Sequence, residues 1–478
     1  MSYSKKMYLG GRLSDGEATI DVINPATETR VGAVAAAGPA DVAAALAAAQ
    51  NALPGWSRTP IRERQAWMHK LRDAVLANEE HLRDCIHQEM GKPWGGTQED
   101  FDSLKNSLHY YAEEIARVHD VVLADRAGTH SHRMVHSAVG VAVAFVSWNF
   151  PLLNLAFKLG PAMAAGCPVI IRPSAATPIS AYAVGELCDS IDLPPGVVQI
   201  LCTKDYASAD LLTASPIPAL ITVIGSTETG KHIMRTGAST IKRYSMELGG
   251  NAPVLVLADA DLDLAADIVT GVKFNNAGQI CVAPNRVFVH ASVAEAFTAK
   301  VVARAKAVKV GFDKATDILT GPVIDGRAWR RIKALVDDAI ANGATLLSGG
   351  GRPEGMETGH FFAPTVLSGI TRDMEIFHNE IFGPVVSLIT FEDESTLLDL
   401  ANAGGDGGLN SYIFTRDIAK AERLAAGLDV GEVQINGVKY DIDLPHGGVG
   451  QSGIGHDCSP LALQDYLRVK RVSRALEV

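Results

Sequence analysis

Apolar residues recur at every third or fourth position from Pro39 to Leu53 and from Ile61 to Met90. Each run has a proline or a polar residue at its start, so both are predicted as helices. Farther on the rhythm changes. In "GVAVAFVSWNFPLLNLAFKLGPAMAAGCPVIIRPS" a short apolar run, Val141 to Val146, leads into a helical pattern from about Leu152 to Ala165 and then a second apolar run, Val169 to Arg172. A helix is predicted from Pro178 to Ile191, followed by strands at Val197 to Leu201 and Ala219 to Ile224. Strand, helix and strand in this order build right-handed βαβ units and a parallel sheet.

A second series begins after Gly249-Gly250. "APVLVLADADLDLAADIVTGVKF" reads as a strand and a long helix, and "NRVFVH" as a strand before a helix from Val293 to Val308. Two doubly wound α/β domains are therefore expected, with a boundary near residue 248. The stretch "HDVVLADRAGTHSHRMVHS" breaks both rhythms and reads as a β-hairpin turning at Arg126-Ala127-Gly128. A hairpin that interrupts a βαβ domain is expected to project from it, and the strand-like run Leu467 to Ala475 is the candidate to pair with it. The predicted division is residues 1–118 and 138–247 for one domain, 248–446 for the other, and 119–137 with 447–478 for the projecting arm.

A chain of 478 residues is too long for one ordinary core, which agrees with two domains. A net charge of −11 disfavours nucleic acid and anionic membranes as partners. Met1 to Arg12 carries charges with no apolar core behind them, and the apolar run around Ser137 to Trp148 is too short to span a bilayer. A cytoplasmic protein is expected. The six cysteines show no C-x-x-C spacing and no histidines at metal-ligand intervals, so reduced thiols and no metal are expected.

Three segments carry candidate chemistry. Cys281, in "FNNAGQICVAPNR", follows a turn-forming stretch; it reads either as a small buried hydrophobe or as a loop-borne nucleophile. Glu247, in "SMELGGNAP", lies between Met246 and Leu248. It reads either as a cap or surface charge or as a desolvated carboxylate usable as a general base. Asn149, in "VSWNFP", ends a buried strand, either as a turn residue or as an amide donor to a developing oxyanion. The formal G-x-G-x-x-G at Gly448, Gly450 and Gly453 follows no buried strand and fails as a dinucleotide fingerprint. "ITVIGSTETG" does follow a strand and opens a helix, whose free N–H groups and Ser226 suit a pyrophosphate.

Taken together, W-N-F-P, E-L-G-G and G-Q-x-C in this order resemble the aldehyde dehydrogenase superfamily. The resemblance continues in "VINPATE", "MGKP", "GSTETG", "NEIFGPV" and "PHGGVGQSGIG", nearly the whole chain. It implies an aldehyde dehydrogenase fold with a coenzyme domain, a catalytic domain and an oligomerisation arm, hence a homodimer or homotetramer. It implies Cys281 as nucleophile, Asn149 with the Cys281 N–H as oxyanion donors, and Glu247 as the base that hydrolyses a thioester. Members that pass the acyl group to coenzyme A typically lack that glutamate, so hydrolysis is expected over acyl transfer, and a non-catalytic binding protein is disfavoured. The implied NAD(P) site comprises Trp148, Arg172, Ser174, Ala175, Gly225, Ser226, Leu248, Glu380 and Phe382.

Two departures modify this picture. Similar members commonly read K-P-S-E where this chain has Arg172 and Ala175. The loss of a carboxylate and the gain of a guanidinium suit a 2′-phosphate, so NADP is expected to be tolerated beside NAD, or preferred. Succinate semialdehyde enzymes resembling this chain carry arginines at the positions of Phe157 and Asn275. Their absence points to an apolar or aromatic aldehyde, with Phe150, Asn154, Phe157 and Tyr440 as pocket residues. The alternative is a succinate-semialdehyde-type substrate held by another cation, Arg286 or Lys439.

Overall fold

The computed structural model describes residues 3–405 and 407–476. The first βαβ series forms the centre of an eight-stranded sheet. Its parallel strands run in the order Arg243–Glu247, Pro218–Ile224, Val141–Phe145, Val169–Arg172, Val198–Ile200, with antiparallel strands added at both edges. The order reverses between Val141–Phe145 and Pro218–Ile224, which are neighbours in the sheet but far apart in the chain. Such a switch point leaves a crevice beyond the carboxyl ends of the strands, and ligands of open α/β sheets bind there.

The second series forms a seven-stranded sheet from Thr345–Ser348 at one edge to Glu432–Ile435 at the other, parallel except for that first edge. Its central strands, Pro253–Val256, Arg286–His290 and Asn410–Phe414, are buried except at His290 and mostly aliphatic or aromatic, as a sheet covered on both faces requires. The expected hairpin is present: Val121–Leu123 and His130–Ala138 pair across a turn in which Asp125 accepts the Thr129 and His130 N–H groups. Leu467–Ala475 pairs with His130–Ala138 over nine residues and completes a three-stranded sheet. Val122, Val469 and Val472 on it are exposed.

One expected helix is two. Ile61–Ala77 and Glu79–Met90 meet at Asn78, whose backbone (φ −120°, ψ 24°) leaves the helical region. The apolar period carries across the break because both helices turn their apolar faces to the same core, so periodicity alone misses it. Among the described residues no helix is long and apolar enough to cross a membrane.

Candidate active site

The carboxyl ends of the strands at the switch point open into a cavity of about 1340 Å³. Ser147, Trp148 and Asn149 follow one strand, Ile224, Gly225 and Ser226 end or follow another, and Glu247 ends a third. The second sheet contributes Cys281, Glu380, Phe382, Glu432 and Tyr440. The cavity therefore lies between the two sheets.

Cys281 sits in the loop between the helix Leu262–Phe274 and the strand Arg286–His290. Unlike the other five cysteines it is not buried. Asn276, Ala277 and Gly278 just ahead of it all have positive φ (50°, 53° and 70°), a costly run for residues other than glycine. At Gly278 a Cβ would collide with the Gly383 carbonyl, so this position needs glycine. The loop is clamped by Gln279, fully buried, which donates to the carbonyls of Asn276 and Pro322 and accepts from the Ile324 N–H.

Asn149 is fixed against this loop. Its Nδ2 donates to the Gln279 carbonyl at 3.0 Å, and its Oδ1 accepts from Asn154 Nδ2 at 3.1 Å. An amide nitrogen carries two N–H donors, so one is left for the cavity. Asn154 also donates to the Ser147 carbonyl. Its side chain thus orients Asn149, and Asn154 itself also lines the cavity. The helix Pro151–Ala165 behind them begins on a buried carboxylate. Asp100 Oδ1 accepts the N–H groups of Leu152 and Leu153, while Oδ2 pairs with Lys92 at 2.5 Å. Lys92 Nζ also lies 3.4 Å from the centre of the Phe150 ring.

Glu247 ends its strand with both carboxylate oxygens buried and without hydrogen-bond partners among the described residues. Burial pushes its pKa well above the usual carboxylate range, and the nearby His446 offsets only part of this. His446 was not expected at the site. Its Nε2 lies 4.0 Å from Glu247 Oε2, its Nδ1 lies 2.6 Å from Glu432 Oε1, and its ring is 6.3 Å from that of Phe157. The backbone of His446 is tied in both directions to Asp457, whose carboxylate is gripped by the buried Lys158 at 2.5 and 2.7 Å. His446 lies in the "PHGGVGQSGIG" stretch, but nothing local pairs it with Glu432 or with the cavity of Cys281; only the tertiary fold does.

At the other end of the cavity the helix Thr227–Gly237 opens on Ser226, whose hydroxyl accepts the Thr229 N–H. The remaining N–H groups of this first turn are available to an anion. Glu380 faces the same region and accepts the Gly250 N–H at 3.3 Å; burial raises its pKa to about 7. Trp148 and Phe382 meet edge to face at 5.5 Å. These groups fit a nicotinamide dinucleotide: a helix terminus for the pyrophosphate and an acceptor for ribose hydroxyls. Gly453 is antiparallel to Glu247 at the sheet edge, where a Cβ would collide with the Met246 carbonyl, so the formal G-x-G-x-x-G packs a strand.

Of the residues singled out in the sequence, Trp148, Asn149, Phe150, Asn154, Phe157, Gly225, Ser226, Glu247, Leu248, Cys281, Glu380, Phe382 and Tyr440 all line this one cavity. Arg172, Ser174 and Ala175 do not. Arg172 ends its strand with its guanidinium 3.4 to 3.5 Å from Thr203 Oγ1, and Ser174 Oγ accepts the Ala176 N–H. Arg286 is not a substrate cation either, because it is buried and donates to the carbonyls of Asn251, Leu400 and Ala401. Lys439 does line the cavity, paired with Asp441 at 2.9 Å. Away from the cavity the fold gathers His69, His109 and Glu113, a grouping that no sequence spacing announces.

The profile of the aldehyde dehydrogenase family matches residues 13–472. A rat protein named mitochondrial succinate-semialdehyde dehydrogenase is 36% identical over 470 residues, covering 97% of this chain and 89% of its own length. An Escherichia coli protein named succinate-semialdehyde dehydrogenase (NADP(+)) is 33% identical over 458 residues, covering 96% of this chain and 94% of its own. Among solved structures, that of succinate-semialdehyde dehydrogenase from Burkholderia pseudomallei superposes with a TM-score of 0.96 at 36% identity, covering 99% of this chain and 98% of that one.

Proposed function

Since the chain belongs to the aldehyde dehydrogenase family, its activity is NAD(P)-dependent oxidation of an aldehyde, and we propose that it releases the carboxylic acid by hydrolysis, with Cys281 as nucleophile and Glu247 as base. The observation that carries this is the sharing of one cavity by Cys281 and a buried, unpartnered Glu247. Cys281 Sγ attacks the carbonyl carbon, and the developing oxyanion takes hydrogen bonds from the Asn149 amide and the Cys281 N–H. The nicotinamide cofactor, when bound, supplies the hydride acceptor. Glu247 takes a proton from the water that cleaves the thioester. Asn149→Ala is expected to lower kcat by roughly 10²–10³-fold, the usual loss for one oxyanion donor, with little change in cofactor affinity by fluorescence titration.

We take the substrate to be a semialdehyde with a second acidic group. The names of the relatives support this over an uncharged aldehyde, and Lys439 is a cation on the cavity wall beside Tyr440. The apolar reading keeps one observation in its favour: Phe150, Phe157, Tyr440 and Leu444 line the same wall. Arg172 and Ala175 support tolerance of NADP, and the name of the Escherichia coli relative agrees with it. The exposed valines of the three-stranded sheet support an arm that joins two copies as a dimer or a dimer of dimers, with the coenzyme and catalytic domains divided near residue 248. Six cysteines free of disulfides suit a reducing compartment such as the cytoplasm.

Initial rates with NAD and NADP across succinate semialdehyde, glutarate semialdehyde, short alkyl aldehydes and benzaldehyde, with Cys281→Ala as blank, test these readings. The semialdehydes are expected to lead. Arg172→Ala is expected to lower kcat/KM for NADP about tenfold more than for NAD, as loss of one charge-assisted hydrogen bond does. Faster turnover of benzaldehyde would transfer the assignment to the apolar reading, and turnover by Cys281→Ala would overturn the mechanism.

A further inference from the structure

Glu432 and His446, which share the cavity wall with the nucleophile Cys281, are a hydrogen-bonded pair that the proposed mechanism does not use. We propose that His446, oriented by Glu432, is a catalytic residue that takes the proton of Cys281 and holds the nucleophile as a thiolate–imidazolium pair in the resting enzyme. This deepens the reading of Cys281 as nucleophile and rests on it.

The geometry assigns each nitrogen a task. Glu432, an acceptor when ionised, lies 2.6 Å from Nδ1 and so fixes the proton there. Nε2 is thereby turned toward Glu247, 4.0 Å away, in the cavity that Cys281 also lines. The ring has little freedom to leave, since the His446 backbone both donates to and accepts from Asp457. The groups facing His446 are Glu432 and Tyr440 from its own side, Cys281 from the nucleophile loop and Glu247 from the facing sheet; Asp457 is neutralised by Lys158. Burial by itself favours the neutral ring, but hydrogen bonding to Cys281 and Glu432 pushes its pKa well above the usual histidine range.

The proton balance closes over a turnover. The Sγ proton moves to Nε2, and the thiolate electron pair forms the bond to the carbonyl carbon. After hydride transfer the thioester is cleaved by water, whose proton goes to Glu247 and then to solvent. The sulfur leaves as thiolate and returns to the same imidazolium. His446 therefore stays protonated throughout, and Glu247 alone cycles.

Alkylation by iodoacetamide tests this without turnover, because the thiolate is the reactive form and the other five cysteines are buried. The site of labelling is read by mass spectrometry with Cys281→Ala as blank. The wild type is expected to keep at pH 6 more than half of its rate at pH 9. His446→Phe is expected to lose tenfold or more at pH 6 while staying within twofold at pH 9, and Glu432→Gln, which retains the ring, to fall between them. Should His446→Phe not fold, the Glu432→Gln profile decides alone. Superimposable wild-type and variant profiles overturn the proposal. Failure of the chain to oxidise any aldehyde, with the profiles shifted as expected, would instead count against the proposed function.

Discussion

Glu247→Gln is expected to release one equivalent of reduced nicotinamide per Cys281 and then turn over 10²–10⁴-fold more slowly, the usual contribution of a positioned general base. A stopped-flow burst with a matched steady state separates this from a loss of the nucleophile, which gives no burst. In the wild type, only ionised Glu247 accepts a proton from water, so the hydrolytic rate rises with pH through an apparent pKa above the ordinary carboxylate range. Stability moves the other way. The unfolded carboxyl ionises near its ordinary value while the folded one stays protonated, so above that value the unfolded state binds fewer protons and stability falls as pH rises. Glu247→Gln is therefore expected to unfold at higher temperature than the wild type at pH 8 and at the same temperature at pH 4. No change in melting temperature at pH 8 would mean that Glu247 is solvated in the folded protein.

The second large effect lies behind Asn149. Asp100→Ala leaves Lys92 buried without a counter-charge, which typically costs about 3–5 kcal/mol, and removes the acceptor for the Leu152 and Leu153 N–H groups. Urea denaturation is expected to show a loss of this size. A Lys92→Met and Asp100→Leu double variant removes the stranded charge and is expected to recover all but about 1 kcal/mol, the residual being the lost helix cap. A double variant as unstable as Asp100→Ala would assign the whole effect to the cap.

Much of this architecture is legible along the chain because its causes are local. The apolar runs at Val141, Val169 and Pro253 become buried strands, and "GSTETG" opens a helix, through neighbours within a few residues. Cys281, Glu247 and Asn149 stand out as a set only through the motifs that resemble the aldehyde dehydrogenase family, and the fold brings all three to one cavity. What the sequence conceals depends on distant packing. The hydrogen bond from Asn154 to Asn149 has no local signal, and the break at Asn78 disappears under a continuous apolar period. His446 stands in a glycine-rich stretch with no chemical signature of its own, and Glu432 is an ordinary strand acid; only tertiary pairing at 2.6 Å gives either a meaning. Asp457 likewise has no local signature, yet it is 2% exposed and anchors Lys158.

The cavity is closed by segments far downstream of Cys281: Gly453 pairs with Glu247, and the backbone of Asp457 fastens His446. During synthesis, at roughly 5–20 residues per second, residues 282–446 take on the order of ten to thirty seconds to follow the cysteine out. For that interval a nascent chain carries Cys281 without Glu432 or His446 beside it. The reactive sulfur thus leaves the ribosome well before the side chains that will confine it.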